Sequence, residues 1–303
     1  MSKIYKRDCD FCNKPYEGEG KKFCSQKCSI AHQKELREEK VEVEDKKNDL
    51  YKEILQQIKR KPISVHNYFP KNHIKIGIMG DTQIGSLYER PDIVDCLYEI
   101  YKKEGIEHVY HTGDLIDGGG IYKGHEFEVA YNGVRAQTER CIDTYPRIEG
   151  ITTHFITGNH DLSFWKSVGV DIGEIISSRR TDMEYLGKEE ALVDIQGIKL
   201  QLSHPGKGTG YAISYQIQKQ IEAISGGTKP NILAVGHYHK AELLPILRNV
   251  VAIQTGTTQS QTPFMRRNSL AAHLGGWIFE FWVNNGSLVR IKSEFIPFYE
   301  HNT

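Results

Sequence analysis

Short apolar runs, each closed by glycine and a polar cluster, recur along residues 74–255. Ile74–Met79 is one such run and stops at Gly80-Asp81. His108-Val109-Tyr110-His111 runs into Gly113-Asp114, and Thr153–Thr157 runs into Gly158-Asn159. Lys199–Ser203 leads to His204, and Ile232–Val235 leads to Gly236-His237. Their length and β-branched content predict buried strands. Helical periodicity fills the gaps at 91–104, opening on Pro91, and over a long amphipathic stretch at about 128–148. Further strands are expected at about 242–254 and 277–293, the last pair joined by an Asn284-Asn285-Gly286 hairpin turn. Strands alternating with helices predict a layered α/β fold. Residues 29–61 read differently. They are charged, and Leu36, Val43 and Leu50 recur every seven residues, with Ile54 and Ile58 extending the stripe. One helix is expected there, as a solvated linker over 33–71. If the three are d positions, Lys40 and Lys47 fall at a positions, which counts against a coiled-coil dimer. A homo-oligomer stays open.

The polar closures carry the candidate chemistry. They are Asp81-Thr82-Gln83, Gly113-Asp114-Leu115-Ile116-Asp117, Gly158-Asn159-His160-Asp161, His204 and Gly236-His237-Tyr238-His239. Open α/β sheets place their sites beyond the carboxyl ends of strands, where these blocks fall. Their carboxylates, amides and imidazoles suffice for two adjacent divalent metals, which together can promote attack on a phosphate ester and stabilise the leaving oxygen. Plainer roles compete. Gly-Asn is also turn chemistry, His239 also suits a solvated loop, and Asp161 reads best as a helix N-cap. His111, His125, His154 and His273 lack a block context and read as structural or exposed. His125, in the glycine-rich loop 118–125, is also a minor candidate for substrate contact. Cys96 and Cys141 lie in helical patterns and read as buried thiols.

Taken in order, the blocks resemble the signature of the calcineurin-like metallophosphoesterases: D-x-H, G-D-x-x-D, G-N-H-D/E, a lone H, then G-H-x-H. The resemblance covers about residues 74–240. It implies an α/β fold over 72–303, a β-sandwich flanked by helices with the site at the strand ends. It implies a first metal among Asp81, Gln83, Asp114 and His239, and a second among Asp114, Asn159, His204 and His237, with Asp114 bridging. His160 would face the scissile phosphate and protonate the leaving oxygen, and Asp117 would orient it. An amide oxygen suits a hard or borderline cation, and imidazoles suit Zn, Mn or Fe. Two positions depart from the family. Gln83 stands where histidine is normal, which weakens Zn or Fe at the first position and favours Mn or Mg, so manganese is the expected activator. Gly118 follows G-D-x-x-D where the protein Ser/Thr phosphatases carry arginine, which argues against that branch. The strings Gly80–Gly85 and Gly113–Asp117 look most like the SbcD-type DNA-repair nucleases. The resemblance thus implies a phosphodiester hydrolase acting on nucleic acid. A phosphomonoesterase or small-molecule phosphodiesterase is one alternative, and a non-catalytic scaffold with an impaired first site is another. Arg266-Arg267 is the nearest approach to a phosphate clamp, and equally an ordinary surface pair.

Four of the six cysteines, Cys9, Cys12, Cys24 and Cys28, cluster near the N-terminus as C-x2-C and C-x3-C. Such spacing suits a closed tetrahedral zinc site, with Phe11 and Phe23 packed beside it. Lys22–Cys28 resembles the second half of treble-clef or ribbon-type zinc fingers, so a structural zinc module is expected over 1–32. His32 is a substitute ligand or a surface residue of the next helix. The net charge of zero hides an asymmetry: residues 1–62 hold 16 Lys/Arg against 12 Asp/Glu, and the rest 23 against 27. A mildly basic N-terminal region permits nucleic-acid contact without demanding it. No run of sequence has the apolar length of a membrane span, and the start has no signal-like apolar region. No membrane partner and a cytoplasmic location are expected.

Overall fold

Period-two alternation sorts the strand side chains of residues 72–299 onto two faces. In β3 (Asn72–Met79), Ile76 and Ile78 point one way, while Met79 points the other. In β4 (His108–His111) and β5 (Thr152–Thr157), Tyr110 and Ile156 join the first face, and Val109 and Phe155 the second. A computed structural model describes residues 5–18, 22–57, 72–206, 208 and 210–299. The chain divides into two units, Met1–Ser64 and Val65–Thr303.

The larger unit is a mixed α/β sandwich of two sheets. The six-stranded sheet runs β13-β12-β3-β4-β5-β6, with β6 at Met183–Lys188, β12 at Gly275–Asn284 and β13 at Ser287–Pro297. Its β3-β4-β5-β6 core is parallel, and β12 and β13 close one edge antiparallel. The five-stranded sheet runs β10-β11-β9-β8-β7. These strands are β7 (Glu190–Ile195), β8 (Ile198–Ser203), β9 (Ile232–Val235), β10 (Ala241–Leu247) and β11 (Val250–Thr255). Between the sheets, Ile76, Ile78, Ile156 and Phe279 pack with Leu200, Leu202, Ile232 and Ile253 in one buried cluster. The other face of the larger sheet is covered by α2 (Pro91–Lys103), α3 (Val134–Thr144) and α5 (Ile172–Arg179) through Leu97, Tyr101, Cys141 and Ile176. α6 (Tyr215–Ala223) covers Leu233 and Val235 with Ile217 and Ile221. The expected hairpin turn is present: Asn285 and Gly286 both adopt positive φ between Asn284 and Ser287.

Several local expectations need correcting. The stretch 128–148 is helical only over Val134–Thr144. Gly133 at φ 88° and the turn before it break the chain, and Val129 bridges to Ser86 instead. Cys96 is exposed on α2, whereas Cys141 is buried. Asp161 makes no cap bond to α4 (Leu162–Val168). Its carboxylate instead accepts from the main-chain N–H groups of Gly158, Leu115 and Ile116, so it ties two site loops together.

In the smaller unit, β1 (Tyr5–Asp8) and β2 (Pro15–Gly18) form an antiparallel hairpin with Cys9 and Cys12 in its turn. Cys28 sits in the first turn of α1 (Gln26–Gln57). Leu36 is exposed on that helix. The side chains of Val43, Leu50 and Ile54, all of Ile58, and the end of the expected linker lie outside the described residues. Among the described residues, no helix is long and apolar enough to cross a membrane.

Candidate metal centre

The five polar blocks meet at the C-terminal ends of β3, β4, β5, β8 and β9. Asp81 follows β3, Asp114 follows β4, Asn159 follows β5, His204 follows β8, and His237 and His239 follow β9. The loops turn sharply to aim these side chains inward. Asp81, Gln83, Asp114, His237 and His239 all have left-handed backbone, with φ of 53°, 48°, 56°, 76° and 53°. For a residue with a Cβ this conformation costs about 1–2 kcal/mol, and it persists where the surroundings over-determine it. Two glycines allow the close approach. A Cβ on Gly158 would run into Asp114, and one on Gly118, at φ 71°, would run into the main chain of His160. The missing arginine at 118 therefore has a steric reason.

The second proposed set is tightly gathered. His204 donates Nδ1–H to the Thr112 carbonyl at 2.7 Å, which fixes the tautomer and turns Nε2 to the interior. There Nε2 lies 3.1 Å from Asp114 Oδ2 and 3.1 Å from Asn159 Oδ1. Ligand atoms of Asp114, His204 and His237 fall within 4.8 Å of one another. Three lone-pair groups converge, so something positive must lie among them, a proton or a cation. Burial disfavours a charged His204, yet the Asp114 carboxylate carries it up to about 10. Burial raises Asp114, but His204 and His160 outweigh it and hold the group well below the usual carboxylate range. Burial, then His204, push His237 down to about 4, leaving a neutral imidazole suited to ligation. This donor set fits a divalent cation.

The first set is looser. His239 Nε2 lies 3.3 Å from Asp81 Oδ1, and Asp81 accepts from the His237 N–H at 3.0 Å to each oxygen. Gln83 gives its Nε2 to Asp114 Oδ2 at 3.2 Å, while its buried Oε1 has no partner. His239 Nδ1 is also buried and unpartnered. A buried, orphaned amide oxygen and an orphaned imidazole nitrogen have lone pairs that a cation would satisfy.

His160 receives its orientation from the main chain. Its Nδ1 lies 2.7 Å from the Asp117 carbonyl oxygen, against 3.9 Å to the Asp117 carboxylate. That carboxylate faces His125 instead, with Nε2 3.3 Å from Oδ2, and His125 stands edge-on to His160 at 5.7 Å. His125 and Asp117 are 1% and 2% exposed, and neither facing atom makes a well-aligned hydrogen bond. His125 is thus part of the site, eight residues past Asp117 in a loop without periodic signal. His111, buried and held at about 4 by desolvation, bonds Thr82 and Gly113 and is structural. His154 stacks on Tyr110, and His273 accepts from Ala241. Arg266 bonds the Gln261 carbonyl, and neither Arg266 nor Arg267 lines the cavity at the centre.

The four N-terminal thiols form a separate cluster. All four sulfurs lie within 4.8 Å, and neighbouring pairs stand 3.4 and 3.6 Å apart. Zn–S bonds of about 2.3 Å in a tetrahedron put sulfurs about 3.8 Å apart, whereas a disulfide needs about 2.05 Å. Burial raises the Cys9 thiol, but main-chain N–H groups from Cys12, Cys24 and Phe11 bring it down to about 6. His32 packs on Phe23 at 5.1 Å and Phe11 at 6.4 Å.

The sequence profile of the calcineurin-like phosphoesterase superfamily domain matches residues 74–264. Over 202 residues the chain is 27% identical to the DNA polymerase II small subunit of Archaeoglobus fulgidus. That alignment covers 55% of this chain and 40% of the relative, so the chain spans less than half of that protein's length. Among solved structures, a phosphatase from Mycoplasma pneumoniae is 14% identical, with 75% of this chain and 94% of that one covered and a TM-score of 0.38. GAP50 of Plasmodium is 12% identical at 75% and 85% coverage, TM-score 0.42. Vps29 of Chaetomium thermophilum is 8% identical at 75% and 100% coverage, TM-score 0.36. Superpositions this loose add nothing to the family assignment.

Proposed function

This chain belongs to the calcineurin-like phosphoesterase superfamily, and from that premise we propose that it is a metal-dependent phosphodiester hydrolase acting on nucleic acid. The observation that carries the reading is the convergence of His204 Nε2, Asp114 Oδ2 and Asn159 Oδ1 at 3.1 Å beside His237. Asp81, Gln83, Asp114 and His239 would hold one divalent ion, and Asp114, Asn159, His204 and His237 the other. Bound there, the ions supply Lewis acidity toward the phosphoryl oxygens and the attacking water. A water oxygen bonds phosphorus and its proton passes to solvent, the P–O bond to the leaving group breaks, and the leaving oxygen takes a proton from His160 Nε2. The Asp117 carbonyl holds the opposite ring nitrogen, so Nε2 is the atom free to give that proton. The mixed donor set of carboxylates, amides and imidazoles, with a neutral Gln83 oxygen where an imidazole is usual, favours manganese.

Two observations support a nucleic-acid substrate. The Archaeoglobus relative is a DNA polymerase subunit, and Lys123 and Arg267 line an exposed depression with Tyr88 and Phe127, a basic and aromatic pairing suited to backbone and base. The four cysteines would hold a structural zinc. One observation favours a second reading, a binding scaffold: Gln83 spends its amide on Asp114. The test is the full chain with Mn against bis(p-nitrophenyl) phosphate, p-nitrophenyl phosphate, and single- and double-stranded DNA. Diester and DNA cleavage are expected, with His160→Ala losing at least about 100-fold in kcat at unchanged Mn content. Metal-loaded wild type that cleaves none of them refutes the hydrolase and leaves the scaffold.

A further inference from the structure

The cavity at the metal-ligand cluster has an aromatic, locked part to its wall. A cavity of about 570 Å³ opens on Asp114, Asn159, His160, His237 and His239, within the range of small-molecule sites. Tyr122 and Phe264 also line it, stacked with ring centroids 3.9 Å apart and planes 14° apart. One buried side chain fixes both. Glu128 accepts from the Tyr122 hydroxyl at 2.7 Å and from the Phe264 N–H at 3.1 Å. Phe264 is further placed by α7 (Pro263–Arg267), whose first turn is capped by Thr262. Rings ordered before binding lose little entropy when a flat group lies against them.

The charge pattern points the same way. Among the described residues, no lysine or arginine lines this cavity. An uncharged planar group placed there would gain stacking contact without needing a cationic partner. Resting on the reading of the centre as a phosphoryl site, we propose that the Tyr122–Phe264 wall receives the planar aromatic group of an ester that presents one phosphoryl group to the metals.

Isothermal titration of the Mn-loaded full chain with nucleoside 5′-monophosphate, phenyl phosphate, methyl phosphate and inorganic phosphate tests this. The two aromatic esters are expected to bind about ten-fold more tightly than methyl phosphate. Phe264→Leu keeps apolar volume without the ring and should bring that ratio close to one, while Phe264→Trp should preserve it. A nucleoside monophosphate stronger than phenyl phosphate assigns the group as a base, and the reverse order assigns a simple aryl group. Equal affinities of phenyl and methyl phosphate, or an unchanged ratio in Phe264→Leu, overturns the aromatic subsite while the phosphoryl centre stands. Binding of none of the four overturns both.

Discussion

Replacing Gln83 by histidine should bring the two metal positions to similar strength. In the present arrangement the Gln83 amide donates to Asp114 Oδ2 at 3.2 Å and leaves Oε1 unpartnered. To ligate a first cation through oxygen the amide must turn and give up that charge-assisted bond, worth about 1.5–3 kcal/mol. At about 1.4 kcal/mol per decade, the first position is weakened by roughly 10- to 100-fold relative to a site without this competition. The second position needs no side chain to turn: His204 is already fixed by Thr112 and aimed at Asp114 and Asn159, and has only its Nε2 proton to release. Titration of the chelator-stripped full chain with Mn, followed by calorimetry and by the paramagnetic signal of free Mn, should therefore show two steps of unequal affinity. Gln83→His supplies a ring nitrogen that need not leave Asp114, and the weaker step should strengthen by about 10-fold or more. Two equal steps in the wild type, or a weaker step that stays put in Gln83→His, would refute the reasoning.

Three further outcomes are expected. His125→Ala removes the group facing the Asp117 carboxylate and should lower kcat about ten-fold with KM little changed, measured on a p-nitrophenyl diester. Asp182→Asn takes the carboxylate from Arg180, whose guanidinium is 1% exposed and also bonds the Ile142, Tyr145 and Pro146 carbonyls. Leaving that cation without its counter-ion should cost about 3 kcal/mol in denaturant unfolding. Burial raises Asp182, but the Arg180 hydrogen bonds and charge lower it on balance. A depressed carboxylate stabilises above its unfolded value, so this contribution is present at neutral pH and disappears as the pH falls through the acid range. Cys24→Ser should remove one equivalent of zinc by elemental analysis without changing manganese content, since the thiols are a separate cluster.

The strand ends were readable because each ligand follows an apolar run, and the left-handed turn after it needs the Gly, Asp, Asn and His found there. The edges were not. β7 alternates in a short half-buried run at a sheet edge, and α4 and α5 are cut apart by Gly169 at φ 72°, so neither has a window long enough to show a period. Pairing of β12 with β3, some 199 to 211 residues apart in sequence, depends on which apolar faces meet and has no local signal. His125 carries no local signal either. Only the folded loop brings it to Asp117. The role of Asp161 depended on three N–H groups from two loops, which no cap pattern encodes.

Each proposed ligand set borrows from both sheets. Asp81, Gln83, Asp114 and Asn159 follow strands of the six-stranded sheet, and His204, His237 and His239 follow strands of the five-stranded one. An ion held there is a clasp across the mouth of the sandwich. Chelation should then lower the melting temperature of the larger unit, so that temperature becomes a gauge of occupancy that needs no substrate.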